Sequence, residues 1–215
     1  MKFLILPESK KTIILIFLYF FFISVGASIL RKYGIMWIQR NLTATVYISL
    51  FLIALLLFGE DLIRCIKKID ERGFEQLVII GFFTLVANVV AGILLSCLNV
   101  GNDNQVTLDS MTDHNVILLK LATIIFAPIV EELVYRYGIY GMFKKNHFFG
   151  CIIATFLFAF SHVWRFVVME GKWIQLIAML PYLAFGLGLN ILYQRTKNVI
   201  YPIMLHMVIN VIGML

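Results

Sequence analysis

The chain has 215 residues, 61% of them hydrophobic and 14% charged, with a formal net charge of +6. A soluble domain is nearer half apolar and a quarter charged, so the long apolar runs exclude a water-soluble globule and indicate a polytopic α-helical membrane protein. The basic residues fall in short segments between those runs, where membrane topology accounts for them, and a nucleic-acid partner is excluded with the soluble reading.

The length suits a single integral-membrane domain, 1–215, of six to eight spans at about 20 residues each. Seven are predicted, over 12–30, 43–59, 77–98, 116–135, 148–168, 174–193 and 199–215. The first follows Lys2, Lys10 and Lys11 and has the look of a secretory signal. It is long enough to span and more spans follow, so a retained signal anchor is expected. Between the second and third runs, Leu62, Ile66 and Ile69 share one helical face, with Lys67, Lys68, Asp70 and Glu71 elsewhere. That pattern, from Gly59 to Phe74, suits either a helix lying in the membrane interface or a solvated loop.

Orientation is read from Lys and Arg. One side receives Lys2, Lys10, Lys11, Arg64, Lys67, Lys68, Arg72, Arg136, Lys144, Lys145, Arg195 and Lys197, and the other Arg31, Lys32, Arg40, Arg165 and Lys172, with Lys120 left inside a span. The bias predicts a cytoplasmic N-terminus and an outer C-terminus, although Arg31, Lys32 and Arg40 run against it. The loop from Asn99 to Asn115 has aspartates and neither Lys nor Arg, as an outer loop would. Cys65, Cys97 and Cys151 are scattered without a CxxC pair, so neither a disulfide framework nor a zinc site is indicated.

Among the acids only Glu131 and Glu132 belong to an apolar helix, in FAPIVEELVYRYGIYG. An ionisable group at the centre of a membrane helix costs at least ~2.5–3.5 kcal/mol and marks a functional site by default. Glu132 and Arg136 are four residues apart, on one face, with the acid N-terminal, the favoured order for an ion pair. Glu131 points about 100° away and keeps its carboxylate for another use. An inert buried network of all three is the plainer reading. His114 and His147 sit in polar segments and are expected to be solvated. His162 closes the apolar run ATFLFAFSH, and His206 lies in YPIMLHMVINVIGML with Asn210 four residues on. Each alone reads equally well as glue between helices. On three separate helices, their need for partners is best met by convergence.

A buried carboxylate and an imidazole around a water form a general-base pair for hydrolysis. A second imidazole and an amide one turn apart form two donors suited to an oxyanion. Ser161 is a weaker nucleophile candidate, because adjacent helix positions point apart from His162. Glu131 with two histidines also matches a His₂Glu zinc set, but HExxH is absent and Asn210 is a poor zinc ligand. No cofactor is expected, with zinc as the rival.

The segments EELVYR, FAFSH and HMVIN fit EExxxR, FxxxH and HxxxN motifs. In this order and spacing the chain resembles the CAAX protease and bacteriocin-processing family, also called the Abi family, from Phe126 to Leu215. The catalytic half is accordingly placed at 116–215, and the first half matches only in being hydrophobic. The resemblance implies a glutamate-type intramembrane endopeptidase whose cavity opens toward the cytoplasm. It implies Glu131 as the base, His162 as its assistant, His206 and Asn210 as oxyanion donors, and Glu132 and Arg136 as supports. His162 lies at least ~20 Å beyond Lys145 at 1.5 Å per residue, which is deep for such a site. The implied substrate is a peptide or protein precursor of the bacteriocin or signalling kind, in processing or self-immunity; prenylated tails rank lower. The alternative is a non-enzymatic immunity or regulatory scaffold acting on a membrane-protein partner. The complete motif set favours the enzyme, and a transporter ranks third for want of repeats and broken helices.

Overall fold

The computed structural model describes residues 8–110, 112–143 and 145–214, and their side chains apart from those of residues 8, 107–110 and 112–114. The expectations for Lys2 and Lys144 and for the His114 side chain lie outside these. The described residues are all-α, and the principal helices are α1 (Ser9–Tyr33), α2 (Leu42–Ile66), α3 (Glu71–Cys97), α4 (116–140, after a break in the helical backbone at Asn115), α5 (His147–Met169), α6 (Trp173–Thr196) and α7 (Ile200–Gly213). Short helices Met36–Arg40 and Asp103–Ser110 lie in the connections. Five of the seven (α1, α2, α3, α5 and α6) are long and apolar enough to cross a membrane, and α7 is a shorter apolar helix. The protein is an integral membrane protein, and each predicted span corresponds to one helix.

The stretch from Gly59 to Phe74 is neither an interfacial helix nor a loop. α2 continues through it to Ile66, and α3 begins at Glu71. The apolar stripe belongs to the bundle: Leu62 is buried, and buried Asp61 pairs with Arg64 and, at 3.9 Å, with Lys11 of α1. The end of α2 is held by Asn198, whose Nδ2 donates to the Cys65 carbonyl at 2.9 Å, satisfying one of the carbonyls a helix terminus leaves over. Asp70 then caps α3, accepting from the Gly73 N–H at 2.8 Å.

These contacts define a basal end of the bundle. Tyr201 of α7 donates to the Asp70 carbonyl there, and Tyr140 packs on Tyr193 with ring centroids 5.7 Å apart. Lys10, Lys11, Arg64, Lys67, Lys68, Arg72, Lys145, Arg195 and Lys197 belong to this end. The upper end is tied by Gln175, donating to the Gly101 carbonyl at 2.9 Å, and by Gln105, donating to the Gly213 carbonyl at 3.3 Å. Lys172 bonds Asp103 at 2.7 Å and Glu170 at 3.1 Å, contacts that raise its pKa above the ordinary lysine value. Arg31, Lys32, Arg40 and Arg165 share this end with Lys172.

Between the ends the core is close-packed around Leu15, Tyr19, Leu50, Phe58, Tyr135, Phe158 and Leu189, all 1% exposed or less. α3 presents Val78, Phe82, Phe83, Val89 and Ile93 outward, as a helix bordered by lipid tails does. Its other face meets α6 closely enough that a Cβ at Gly188 would overlap Thr84 Oγ1 and sit 2.9 Å from Thr84 Cβ. Small residues at such crossings let membrane helices gain van der Waals contact. Gly188→Ala should therefore destabilise the detergent-solubilised protein by about 1–3 kcal/mol, as overpacking does. A thermal midpoint equal to the parent's would show that α3 and α6 do not touch there.

Candidate active site

The site is built on α4, whose backbone is irregular on both sides of the two glutamates. Ala122–Phe126 and Leu133–Tyr140 are π-helical, and the α-helical stretch Ala127–Glu132 lies between them. Such π segments are frequent at functional sites. In the first of them the Ala127 N–H bonds back five residues to the Ala122 carbonyl. One step on, the donor is Pro128, which has no N–H, and the Thr123 carbonyl is left over. Asn210 of α7 supplies the missing donor, its Nδ2 reaching Thr123 O at 2.7 Å. The proline thus leaves a gap in the hydrogen bonding of the turn that leads to Glu131, and the asparagine fills it. The second amide hydrogen of Asn210 remains for another acceptor.

Glu131 and Glu132 then diverge. Glu132 is 0% exposed and its Oε1 takes two donors, Arg136 Nη1 at 3.1 Å and His206 Nδ1 at 2.8 Å. Arg136 is also fully buried. Its Nη2 donates to the Gly186 carbonyl of α6 at 3.1 Å, and its guanidinium lies 4.7 Å from the centroid of the Phe158 ring. The group ties α4, α5, α6 and α7 together. Breaking such a pair strands a buried charge at a cost of ~3–5 kcal/mol.

Glu131 instead lines a cavity of about 410 Å³, together with His162, His206 and Asn210. Glu132 and Arg136 are not in its lining. Tyr47 of α2 donates to Glu131 Oε1 at 2.6 Å, and His206 Nε2 stands 3.8 Å from Glu131 Oε2. Because His206 Nδ1 donates to Glu132, its Nε2 is the atom turned to the cavity side. The carboxylate thereby fixes which imidazole nitrogen faces the cavity, as in other carboxylate–histidine pairs. His162 is fixed in the same manner by its own helix: its Nδ1 donates to the Phe158 carbonyl at 2.8 Å, leaving Nε2 as an acceptor. Tyr182 stacks on the ring at 4.4 Å and Phe158 lies at 4.8 Å. Ser161 Oγ bonds the Phe158 carbonyl at 2.7 Å and stands 3.4 Å from His162 Nδ1; bonded to its own helix, it is poorly placed as a nucleophile.

The structure thus brings Glu131, His162, His206 and Asn210 to one cavity and gives Glu132 a second task, orienting His206. Tyr47 and its neighbour Tyr19, both lining the cavity, are additions from the first half of the chain. Their sequence signal is slight, a tyrosine within an apolar run. Among the described residues no three His, Cys, Asp or Glu side chains gather closely enough to hold a metal ion.

Residues 113–212 match the family described as "Type II CAAX prenyl endopeptidase Rce1-like". This part of the chain belongs to the CAAX protease and bacteriocin-processing family. Among curated relatives, "UPF0177 protein YvdC" of Lactococcus lactis is 30% identical over 154 residues, covering 69% of this chain and 56% of the relative. "Putative membrane peptidase YdiL" of Bacillus subtilis is 31% identical over 148 residues, covering 66% of this chain and 56% of the relative. "UPF0177 protein YajF" of Lactococcus lactis is 31% identical over 99 residues, covering 46% and 44%. The chain spans about half the length of the curated relatives it matches, and no solved structure matches it. The family match contains all seven fixed residues of the three motifs, Phe158 of FAFSH included.

The link between Asn210 and Pro128 is open to a double-mutant cycle. Asn210→Leu leaves the Thr123 carbonyl without its donor, at a cost of about 1–3 kcal/mol. Pro128→Ala restores a backbone N–H in reach of that carbonyl, so Asn210→Leu should cost about 1 kcal/mol less in the alanine background. Equal losses of thermal stability in the two backgrounds would disprove the link.

Proposed function

We propose that this protein is an intramembrane peptidase in which Glu131 is the general base. A water held between Glu131 and the Nε2 of His162 gives a proton to the carboxylate and attacks the scissile carbonyl carbon. The oxygen of the tetrahedral intermediate is met by the Nε2–H of His206 and the second amide hydrogen of Asn210. For that duty His206 carries a proton on each nitrogen, with Nδ1–H held by Glu132. Collapse of the intermediate expels the amine, which takes the proton from Glu131, so base and acid are one residue in two steps. Tyr47 and the Glu132–Arg136 pair are positioning residues, holding the base and the imidazole.

The observation that carries this reading is the separation of two adjacent carboxylates, one sealed in an ion pair and one lining a cavity beside two oriented imidazoles. The family and the name of the Bacillus subtilis relative support a peptidase. The substrate we assign is a small peptide or protein precursor of the bacteriocin or signalling kind, in processing or in self-immunity. The occurrence of the relatives in Lactococcus lactis and Bacillus subtilis supports a bacterial membrane.

Glu131→Gln keeps the shape of the side chain and removes the base, and a general base contributes typically 10²–10⁴-fold. Comparison of the peptides released by cells expressing the parent and the Gln variant should show cleavage products missing from the latter, at equal amounts of folded protein. Identical peptide sets, with the cellular effect of the chain retained, would favour the immunity or regulatory scaffold instead.

The metal-free reading is supported by Asn210, an amide suited to an oxyanion rather than to zinc. Cleavage should persist after exhaustive chelation of the purified protein. Activity lost on stripping and recovered with stoichiometric zinc would make the site a metalloprotease centre.

A further inference from the structure

The mouth of the cavity lies at one end of the bundle. Exposed Arg31 and Arg165 line it, with Leu42, Asn102 and Gln105, and all belong to the upper end. No lysine or arginine of the basal end is in its lining. Lys10 and Lys11 stand at the opposite end of α1 from Arg31, as the Lys11–Asp61 contact fixes. A cytoplasmic N-terminus and a cavity facing the cytoplasm are therefore incompatible in this protein.

The charge distribution chooses between them. Lys and Arg collect on the cytoplasmic side of membrane proteins, and the basal end carries most of them. Two of the upper cations, Arg31 and Arg165, line the mouth itself, so the cavity gives them a local reason to be there. We infer that the catalytic cavity opens to the extracytoplasmic face and takes a peptide segment presented from that side of the membrane. That the peptide is cleaved there rests on the peptidase reading; the direction of the opening does not. Cleavage would follow translocation of the precursor, and the reaction that supplies the substrate is peptide export. Asn102 and Asn104, which line the cavity, each give one amide hydrogen to Tyr182 Oη at 3.0 Å, and an amide has a second hydrogen that suits the carbonyls of an extended peptide backbone.

The test is thiol labelling in a bacterial host, with Cys65, Cys97 and Cys151 replaced by alanine and single cysteines added. Glu170→Cys marks the upper end, Glu71→Cys the basal end, and Ala27→Cys the cavity wall; none alters a lysine or arginine. A membrane-impermeant methanethiosulfonate should modify E170C and A27C in intact cells and E71C only after permeabilisation. Should the cysteine-free background fail to accumulate, alkaline phosphatase or green fluorescent protein fused after Leu215 reports the side of the upper end. Active phosphatase without fluorescence is the expected result. Labelling of E71C in intact cells with E170C and A27C protected, or a fluorescent fusion, would overturn the inference. Failure of A27C to react from either side would also do so, because the cavity would then be closed to water. A correctly labelled cavity in a protein whose E131Q variant changes no peptide would overturn the peptidase reading and leave the opening in place.

Discussion

One carboxylate oxygen, Glu132 Oε1, joins two helical partners inside the apolar bundle. It takes Arg136 from its own helix and His206 from α7, while Arg136 reaches on to the Gly186 carbonyl of α6. In hydrocarbon none of these groups has water to fall back on, so each depends on the others. Hydrophobic side chains bordered by lipid tails define no unique packing of helices, because one apolar face is as well solvated as another. A charged knot with fixed partners does, since other arrangements strand a charge. The positions of α4, α6 and α7 relative to one another follow from it. So does the catalytic proposal, because the carboxylate that anchors the bundle is also the one that orients His206.

The division of labour between the two glutamates was readable from helix phase. Glu132 stands one turn before Arg136, and the two meet at 3.1 Å. Glu131 projects elsewhere and lines the cavity. What phase does not carry is contact across the chain. His206 approaches Glu132 over 74 residues of sequence, and Tyr47 approaches Glu131 over 84. Periodicity within one helix says nothing about which helix lies opposite. The amphipathic stripe from Leu62 to Ile69 misled for a related reason. An apolar stripe on a charged helix looks the same whether it faces lipid headgroups or a neighbouring helix, and here α2 simply continues and buries Leu62 and Asp61 in the bundle. The π segments of α4 had no periodic signature, although Pro128 was a visible reason for a carbonyl to go without its donor.

Irregular backbone is costly in a membrane unless protein groups replace the lost hydrogen bonds. α4 departs from regular α-helix on both sides of the glutamates, and one lost bond is replaced by Asn210, which lines the same cavity. Asn210 is therefore a structural donor to Thr123 and a candidate oxyanion donor at once, which an amide with two hydrogens permits. The same economy holds for His206, bonded to Glu132 on one nitrogen and facing Glu131 with the other. Residues with two attachments resist reorientation, and a site held within a fraction of an ångström of its working geometry depends on such support.

The knot also governs where water enters. Glu132 and Arg136 are 0% exposed and Tyr135 beside them is likewise sealed, so the bundle is dry immediately on the basal side of Glu131. Above Glu131 the lining turns to Asn88, Asn102, Asn104 and Gln105, side chains that tolerate water and peptide alike. On the peptidase reading, water and an extended backbone must both enter while the ion pair stays out of reach of both. Putting the pair at the closed side and the amides at the open side meets both demands with a single opening. The sequence order EExxxR encodes that polarity. On a helix descending from the upper end, Glu131 comes first and faces the cavity, Glu132 turns away from it, and Arg136 one turn deeper is sealed in the bundle beyond the cavity lining.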